Sequence, residues 1–215
     1  MQHVLETALA ARRLAKVIVT SDDERVLDLA RVLGGSLVLR RPDDLATADS
    51  PPIAYVRHAL RAAEESGEAP FEAVVILQPS SPLTLPEDVD ATVDLLERTG
   101  ADTAVTVVRL AHDLHPAKLK VLQGDRLLPY LETEGGRMAA SELPPVYVRN
   151  GSVYATRRRV LDAGAIIGED CRGLEMPRLR SVDINDSFDF AFAEWLCAHS
   201  GAKKHATAAF PSRER

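Results

Sequence analysis

From residue 16 to residue 108, short apolar β-rich runs alternate with segments of helical period. That alternation restricts the chain to a layered α/β fold, because each apolar run must be covered by the helices around it. Residues 2–15 (QHVLETALAARRLA) read as an amphipathic helix and residues 16–20 (KVIVT) as a buried strand. A helix follows over 24–33 and ends at Gly34-Gly35, and a short strand at 37–39 comes next. A third helix runs from about 51 to 66, with Pro51 and Pro52 tolerated in its first turn. Residues 74–77 (VVIL) are apolar without alternation, the mark of a strand covered on both faces. A helix over 87–98 and a strand over 103–108 complete this half. A helix that leads into a parallel strand normally follows an earlier strand through a right-handed crossover. Here the helix stands first, so the expectation is an enzyme domain without the strand and loop that cradle phosphates in such folds.

The alternation breaks after Arg109. Residues 118–122, the turn at Gly124-Asp125 and the pair Leu127-Leu128 predict a hairpin. The polar, Gly/Pro-rich stretch 132–145 makes this region a projecting flap of the kind that pairs across a dimer. Residues 146–156 return to the sheet, 180–184 give a last strand, 188–198 a closing helix, and 200–215 are expected to be disordered. The fold class is therefore α/β: a three-layer, doubly wound, mostly parallel sheet with a β-hairpin flap. One domain spans 1–199, with the flap at about 110–146.

Composition excludes several functions. A net charge of -6, with no dense Lys/Arg block, argues against a nucleic-acid partner. No apolar run approaches the ~18 residues of a membrane span, and no signal peptide is visible, so a cytoplasmic protein without a membrane partner is expected. Cys171 and Cys197 lack metal or redox spacing and read as free thiols.

In open α/β sheets, ligands sit at the carboxyl ends of strands. The residues predicted there are Ser21-Asp22-Asp23, Arg40-Arg41, Gln78 with Pro79-Ser80-Ser81-Pro82, Arg109, Arg149-Asn150-Gly151 and Asp183. Such a convergence of polar and cationic groups suits a small anionic ligand. Gln78 offers both donors and acceptors from a rigid turn, more than a purely structural turn needs. Asp183 is placed to contribute to magnesium, which takes one or two carboxylates plus phosphate oxygens. Alternatively Asp183, Asn185 and Asp186 only cap the last helix, with Asn185 or Asp186 as N-cap. Asp22-Asp23-Glu24 is either a metal cluster or a helix start with Ser21 or Asp22 as cap, and the cap is the better reading. A receiver-like phosphoacceptor site on the same acids needs further acidic, hydroxyl and lysine positions that the strand ends do not supply. Gly151 marks either a bulge or an Asn-Gly hairpin. His112 and His115 read as solvated loop residues.

The segments VIVTSDD, RRPDDLAT, VVILQPSSPL, PPVYVRNGSVY and RSVDINDSFDF occur in that order over about residues 1–199. In this the chain resembles the acylneuraminate cytidylyltransferase family, the CMP-sialic acid synthetases and their relatives for other nonulosonic acids. The resemblance implies a nucleotide-diphospho-sugar transferase-like fold and a homodimer with a swapped flap. It also implies attack of an anomeric sugar hydroxyl on the α-phosphate of CTP, with Mg2+ and release of pyrophosphate. By the same resemblance Arg41 and Ser50 fall in the nucleotide pocket. Gln78, Lys118, Arg149, Asn150 and Tyr154 fall in the sugar-acid pocket, Lys118 reaching across the dimer. Asp183 and Asn185 occupy the positions of the catalytic metal-binding pair, with Asp183 the metal ligand.

The chain departs from the family pattern at several places. Asn185 stands where a second aspartate is expected, and the stretch around Ser50 differs from the expected serine run. Ala140 stands where an arginine is expected, and Ile166-Ile167 replace an aromatic pair. The acceptor acid is therefore open. With no phosphate loop ahead of the first helix, weak CTP binding and slow turnover are expected. Two alternatives stand beside the enzyme reading: a non-catalytic homologue serving as a binding or scaffold module, and a transferase of the same fold that uses another nucleotide.

Overall fold

The computed structural model describes residues 1–47, 49–67, 70–131 and 143–199. Helix α1 (Gln2–Ala10) leads to strand β1 (Ile18–Ser21), and helix α2 (Glu24–Leu33) joins β1 to β2 (Leu37–Arg40). Asp23, not Ser21 or Asp22, is the α2 N-cap, and its carboxylate accepts from Arg25 N. Gly34 closes the helix at φ 87°, a left-handed conformation that costs glycine nothing. Helix α3 (Pro52–Glu65), β3 (Ala73–Leu77), α4 (Pro86–Thr99) and β4 (Thr103–Arg109) then follow within a residue or so of the positions expected. The hairpin of β5 (Lys120–Gln123) and β6 (Arg126–Pro129) turns at Gly124-Asp125 as predicted. Most of the connection after it, at 132–142, and the tail from 200 onward lie outside the described residues. The chain returns through β7 (Tyr147–Arg157), α5 (Arg158–Asp162) and β8 (Cys171–Glu175), and closes with α6 (Ser187–His199).

The last strand differs from expectation. It is β8, paired in parallel with β4, whereas residues 181–186 are irregular. In that segment Asn150 donates to Ser181 Oγ and Ile184 N donates to Ser80 O, so the polar groups are held by neighbouring loops rather than by a sheet ladder.

Among the described residues the strands form a parallel β1-β2 pair, a four-stranded sheet β3-β7-β4-β8, and the projecting β5-β6 hairpin. Only β7 runs against its neighbours β3 and β4 in the larger sheet. Strand β3 shows why its sequence is uniformly apolar: Val75 and Leu77 pack with Val89 of α4, while Val74 and Ile76 pack with Val56, Leu60 and Leu161 of α3 and α5. On the first of these faces, Leu5, Val19 and Ala30 join α1 and α2 to β1. The free edges of β1 and β3 both border a groove of about 550 Å3, which runs up to Arg41 and Gln78.

Leu96 is 1 % exposed within the cluster that joins α4 to β4 and β7. A Leu96→Ala substitution will lower the free energy of unfolding by about 2–5 kcal/mol, read by denaturant titration.

Candidate functional site

Three chain segments are brought to one point by the kink in β7. Val105 of β4 lies opposite Tyr154 and Val107 opposite Arg149, so Thr106 faces the run Asn150–Val153 and the ladder is interrupted. Of the two readings of Gly151, the bulge is therefore the one observed. Gly151 sits at φ 76°, and a Cβ added to it would lie 3.1 Å from Gln78 Oε1 and 3.4 Å from both Cγ and Oδ2 of Asp183. Gln78, from the end of β3, and Asp183, from the irregular segment after β8, thus meet over the one backbone position without a side chain. Close approach and positive φ together require glycine there.

Each flank of this meeting point is anchored. After Gln78 the chain turns back, with Ser81 N donating to Gln78 O at 3.1 Å and Ser81 wholly buried. Ahead of Asp183, the Arg180 guanidinium pairs with the Asp88 carboxylate, and both are mostly buried. Asp88 also accepts from Leu85 N at 2.9 Å, so one carboxylate caps α4 and holds the Asp183 segment. Ile184 N donates to Ser80 O at 2.9 Å and ties the two loops directly.

The electrostatics agree with this geometry. Burial pushes the Tyr154 phenol above its ordinary value; Arg149 pulls it back and Asp183 pushes it up, so both charges act on the ring. Asp183→Ala will therefore lower the Tyr154 pKa and Arg149→Ala will raise it, read as the tyrosine-ring carbon shift in an NMR pH titration.

Asp183 Oδ1 is buried without a hydrogen-bond partner among the described residues. An orphaned carboxylate oxygen is costly unless a cation or donor meets it. Asn185, exposed beside it, donates through Nδ2 to Asp183 O at 3.2 Å, and its Oδ1 takes no hydrogen bond among the described residues. Asp186 accepts from Phe188 N and Asp189 N, which makes it the cap acceptor of α6 and leaves Asp183 free of that duty. The pair Asp183 and Asn185 fits a divalent cation that takes its remaining ligands from phosphate and water. No group of three or more His, Cys, Asp or Glu suited to a metal occurs among the described residues, the Asp22-Asp23-Glu24 run included.

Arg41 lies at the end of β2, where Nη2 donates to Thr20 O at 2.9 Å and the guanidinium stacks 4.2 Å above the Tyr55 ring. Arg41 Nε and Thr20 Oγ1 are buried without partners, and Arg41 and Gln78 line the same groove. Ser50 is occupied differently: its hydroxyl donates to Asp44 O at 3.1 Å and accepts from Thr47 N, fastening its own loop. Lys118 stands at the base of the hairpin with Nζ 3.0 Å from His112 Nδ1, and no contact among the described residues links it to Gln78 or Asp183.

Asn150 corrects an expectation. Its side chain is 3 % exposed and turned inward. Oδ1 accepts from Thr106 Oγ1 at 2.6 Å and Ser152 N at 3.3 Å, while Nδ2 donates to Ser181 Oγ at 2.9 Å and Met176 Sδ at 3.3 Å. All four hydrogen-bonding positions of the amide are used, which leaves none to offer a ligand. Thr106, Ser181 and the Asp88–Arg180 pair escaped sequence reasoning. Thr106 looks like any β-branched strand residue, and the others have no spacing that announces them.

A family model described as Cytidylyltransferase matches residues 1–163. The chain is 28% identical over 198 residues to CMP-N,N'-diacetyllegionaminic acid synthase of Legionella pneumophila, covering 90% of this chain and 83% of the relative. It is 30% identical over 206 residues to 8-amino-3,8-dideoxy-manno-octulosonate cytidylyltransferase of Shewanella oneidensis, covering 90% and 79%. A solved CMP:2-keto-3-deoxy-manno-octonic acid synthetase complexed with CTP superposes with a TM-score of 0.62 at 19% identity, over 93% of this chain and 87% of that one. The 4-diphosphocytidyl-2C-methyl-D-erythritol synthase of Anaerococcus prevotii gives the same TM-score of 0.62 at 12% identity, over 92% and 85%. These two structures share the nucleotide-diphospho-sugar transferase fold expected from the sequence. With a family model matched over residues 1–163, most of its length, this chain belongs to the cytidylyltransferase family.

Proposed function

We propose that the protein transfers a cytidylyl group from CTP to a sugar acid of the nonulosonic or octulosonic class. The single observation that carries this reading is the meeting of Gln78 and Asp183 over Gly151. The acceptor's anomeric hydroxyl oxygen bonds to the α-phosphorus while the bond from that phosphorus to the bridging oxygen breaks. The bonding electrons leave with pyrophosphate, and the hydroxyl proton passes to water. Little covalent chemistry falls to the protein in such a transfer, so positioning and charge neutralisation supply most of the rate.

Asp183, with the Asn185 carbonyl, would hold Mg2+, which when bound neutralises developing phosphate charge. Gln78 supplies both a donor and an acceptor to the sugar acid, and Arg149 supplies positive charge toward its carboxylate. Arg41, stiffened by the Tyr55 ring, favours the nucleotide side of the cleft. The apolar side chains exposed on the β5-β6 hairpin and beside it, Leu122, Leu127 and Tyr130 among them, favour a homodimer joined through the flap. Lys118 then serves the neighbouring cleft.

The test is pyrophosphate release with CTP and Mg2+ across a panel of nonulosonic and octulosonic acids, with UTP, GTP and ATP as comparators. CTP- and acid-dependent release, with a CMP-linked product by mass spectrometry, is the expected result. Equal release with all four nucleotides, or none with any acid, overturns the reading.

A further inference from the structure

Asn150 connects the segments that carry Gln78, Gly151 and Asp183. Through Thr106 it holds β4, and through its own backbone it fixes Gly151. Through Ser181, two residues ahead of Asp183, it holds the Asp183 segment. Its backbone carbonyl oxygen accepts a long hydrogen bond of 3.4 Å from the Ser81 hydroxyl, three residues beyond Gln78. Thr106 is the keystone on the opposite side: its hydroxyl donates to Asn150 Oδ1 and accepts from Val153 N at 2.9 Å, replacing the ladder bonds that the bulge removes. Thr106, Asn150 and Ser152 are nearly fully buried, so these bonds form where water competes little.

We propose that Asn150 and Thr106, with Ser181, are positioning residues. They form one buried polar lock that sets the separation of Gln78 and Asp183 without touching substrate. The proposal rests on the cytidylyl-transfer reading for its effect on rate, but its structural half does not. A misplacement of about 1 Å between reacting groups costs on the order of 10²-fold in rate. The lock is thus expected to act on the alignment of bound reactants more than on nucleotide affinity.

Thr106→Val keeps the shape and removes the hydroxyl; Thr106→Ser keeps the hydroxyl and removes a methyl. Thr106→Val is expected to lower kcat by about 10–100-fold with KM for CTP changed less than about threefold, and Thr106→Ser to stay within about threefold of the parent. By hydrogen exchange, the remote Ile184 amide is expected to exchange about tenfold faster in Thr106→Val and at the parent rate in Thr106→Ser. Should Thr106→Val fail to fold, Ser181→Ala, which removes one acceptor of the lock, is expected to move the Ile184 amide and kcat in the same direction. Unchanged Ile184 exchange in the folded hydroxyl-deleting variant, or equal impairment of Thr106→Ser and Thr106→Val, overturns the proposal. A parent protein without turnover defeats the functional reading alone, and the exchange measurement still decides the lock.

Discussion

Asp183→Ala will reduce cytidylyl transfer by at least about 10²-fold in kcat, the range seen when a preorganised charge-stabilising group is removed from an active site. Thermal stability will not fall with it. Asp183 Oδ1 is buried with no partner among the described residues, so truncation removes a desolvated oxygen and breaks no hydrogen bond of that atom. The combination of lost rate and an unchanged or raised melting temperature is the signature of a group held for function rather than for folding. Asp183→Asn is the informative companion. It keeps the shape, removes the charge, and will recover little activity if neutralisation is what the carboxylate supplies. Differential scanning fluorimetry beside pyrophosphate-release kinetics reads both effects on one sample. A melting temperature that drops by several degrees would make Asp183 a structural anchor and remove the argument for a cation there.

Gly151→Ala will be nearly as damaging, through a different route. At φ 76° an L side chain is strained, and the new methyl would sit 3.1 Å from Gln78 Oε1 and 3.4 Å from Asp183 Oδ2. Holding a residue other than glycine in this region costs on the order of 1–3 kcal/mol. Relief requires Gln78 or Asp183 to move by a few tenths of an ångström, or β7 to shift against Thr106. Activity is expected to fall by about 10²-fold, as small misplacements do. Gly34→Ala tests the specificity of this effect. That glycine also has positive φ, at 87°, but has nothing within 4 Å of its would-be Cβ. It will show the strain cost without the catalytic loss.

The sequence exposed the periodic elements and concealed the ties between them. Helix α2 was legible because Leu27 and Ala30 face inward at helical spacing and Gly34 ends the helix with a left-handed residue. β3 was legible because Val74 to Leu77 supply both helical layers at once. β8 was missed because Cys171, Arg172, Gly173 and Glu175 are exposed and carry no apolar run, and only pairing with β4 makes them a strand. The segment 180–184 looks like that strand because Val182 and Ile184 alternate with polar residues, yet those two pack with Leu83, Ala193 and Leu196 while Asp183 between them lies against Gly151. That Gln78 and Asp183 come together over Gly151 follows the rule that strand ends converge at one edge of an open sheet, which needs no coordinates. For Asn150, spacing shows that a polar residue interrupts a strand, not which way its amide turns.

The seam between β1 and β3 has a mechanical consequence. Arg41 is bonded to the smaller sheet through Thr20 and Ser21, whereas Gln78 belongs to the larger one, and no ladder joins the two among the described residues. A molecule that grips Arg41 and Gln78 together acts as a staple across the groove, and its binding energy adds to the stability of both sheets at once.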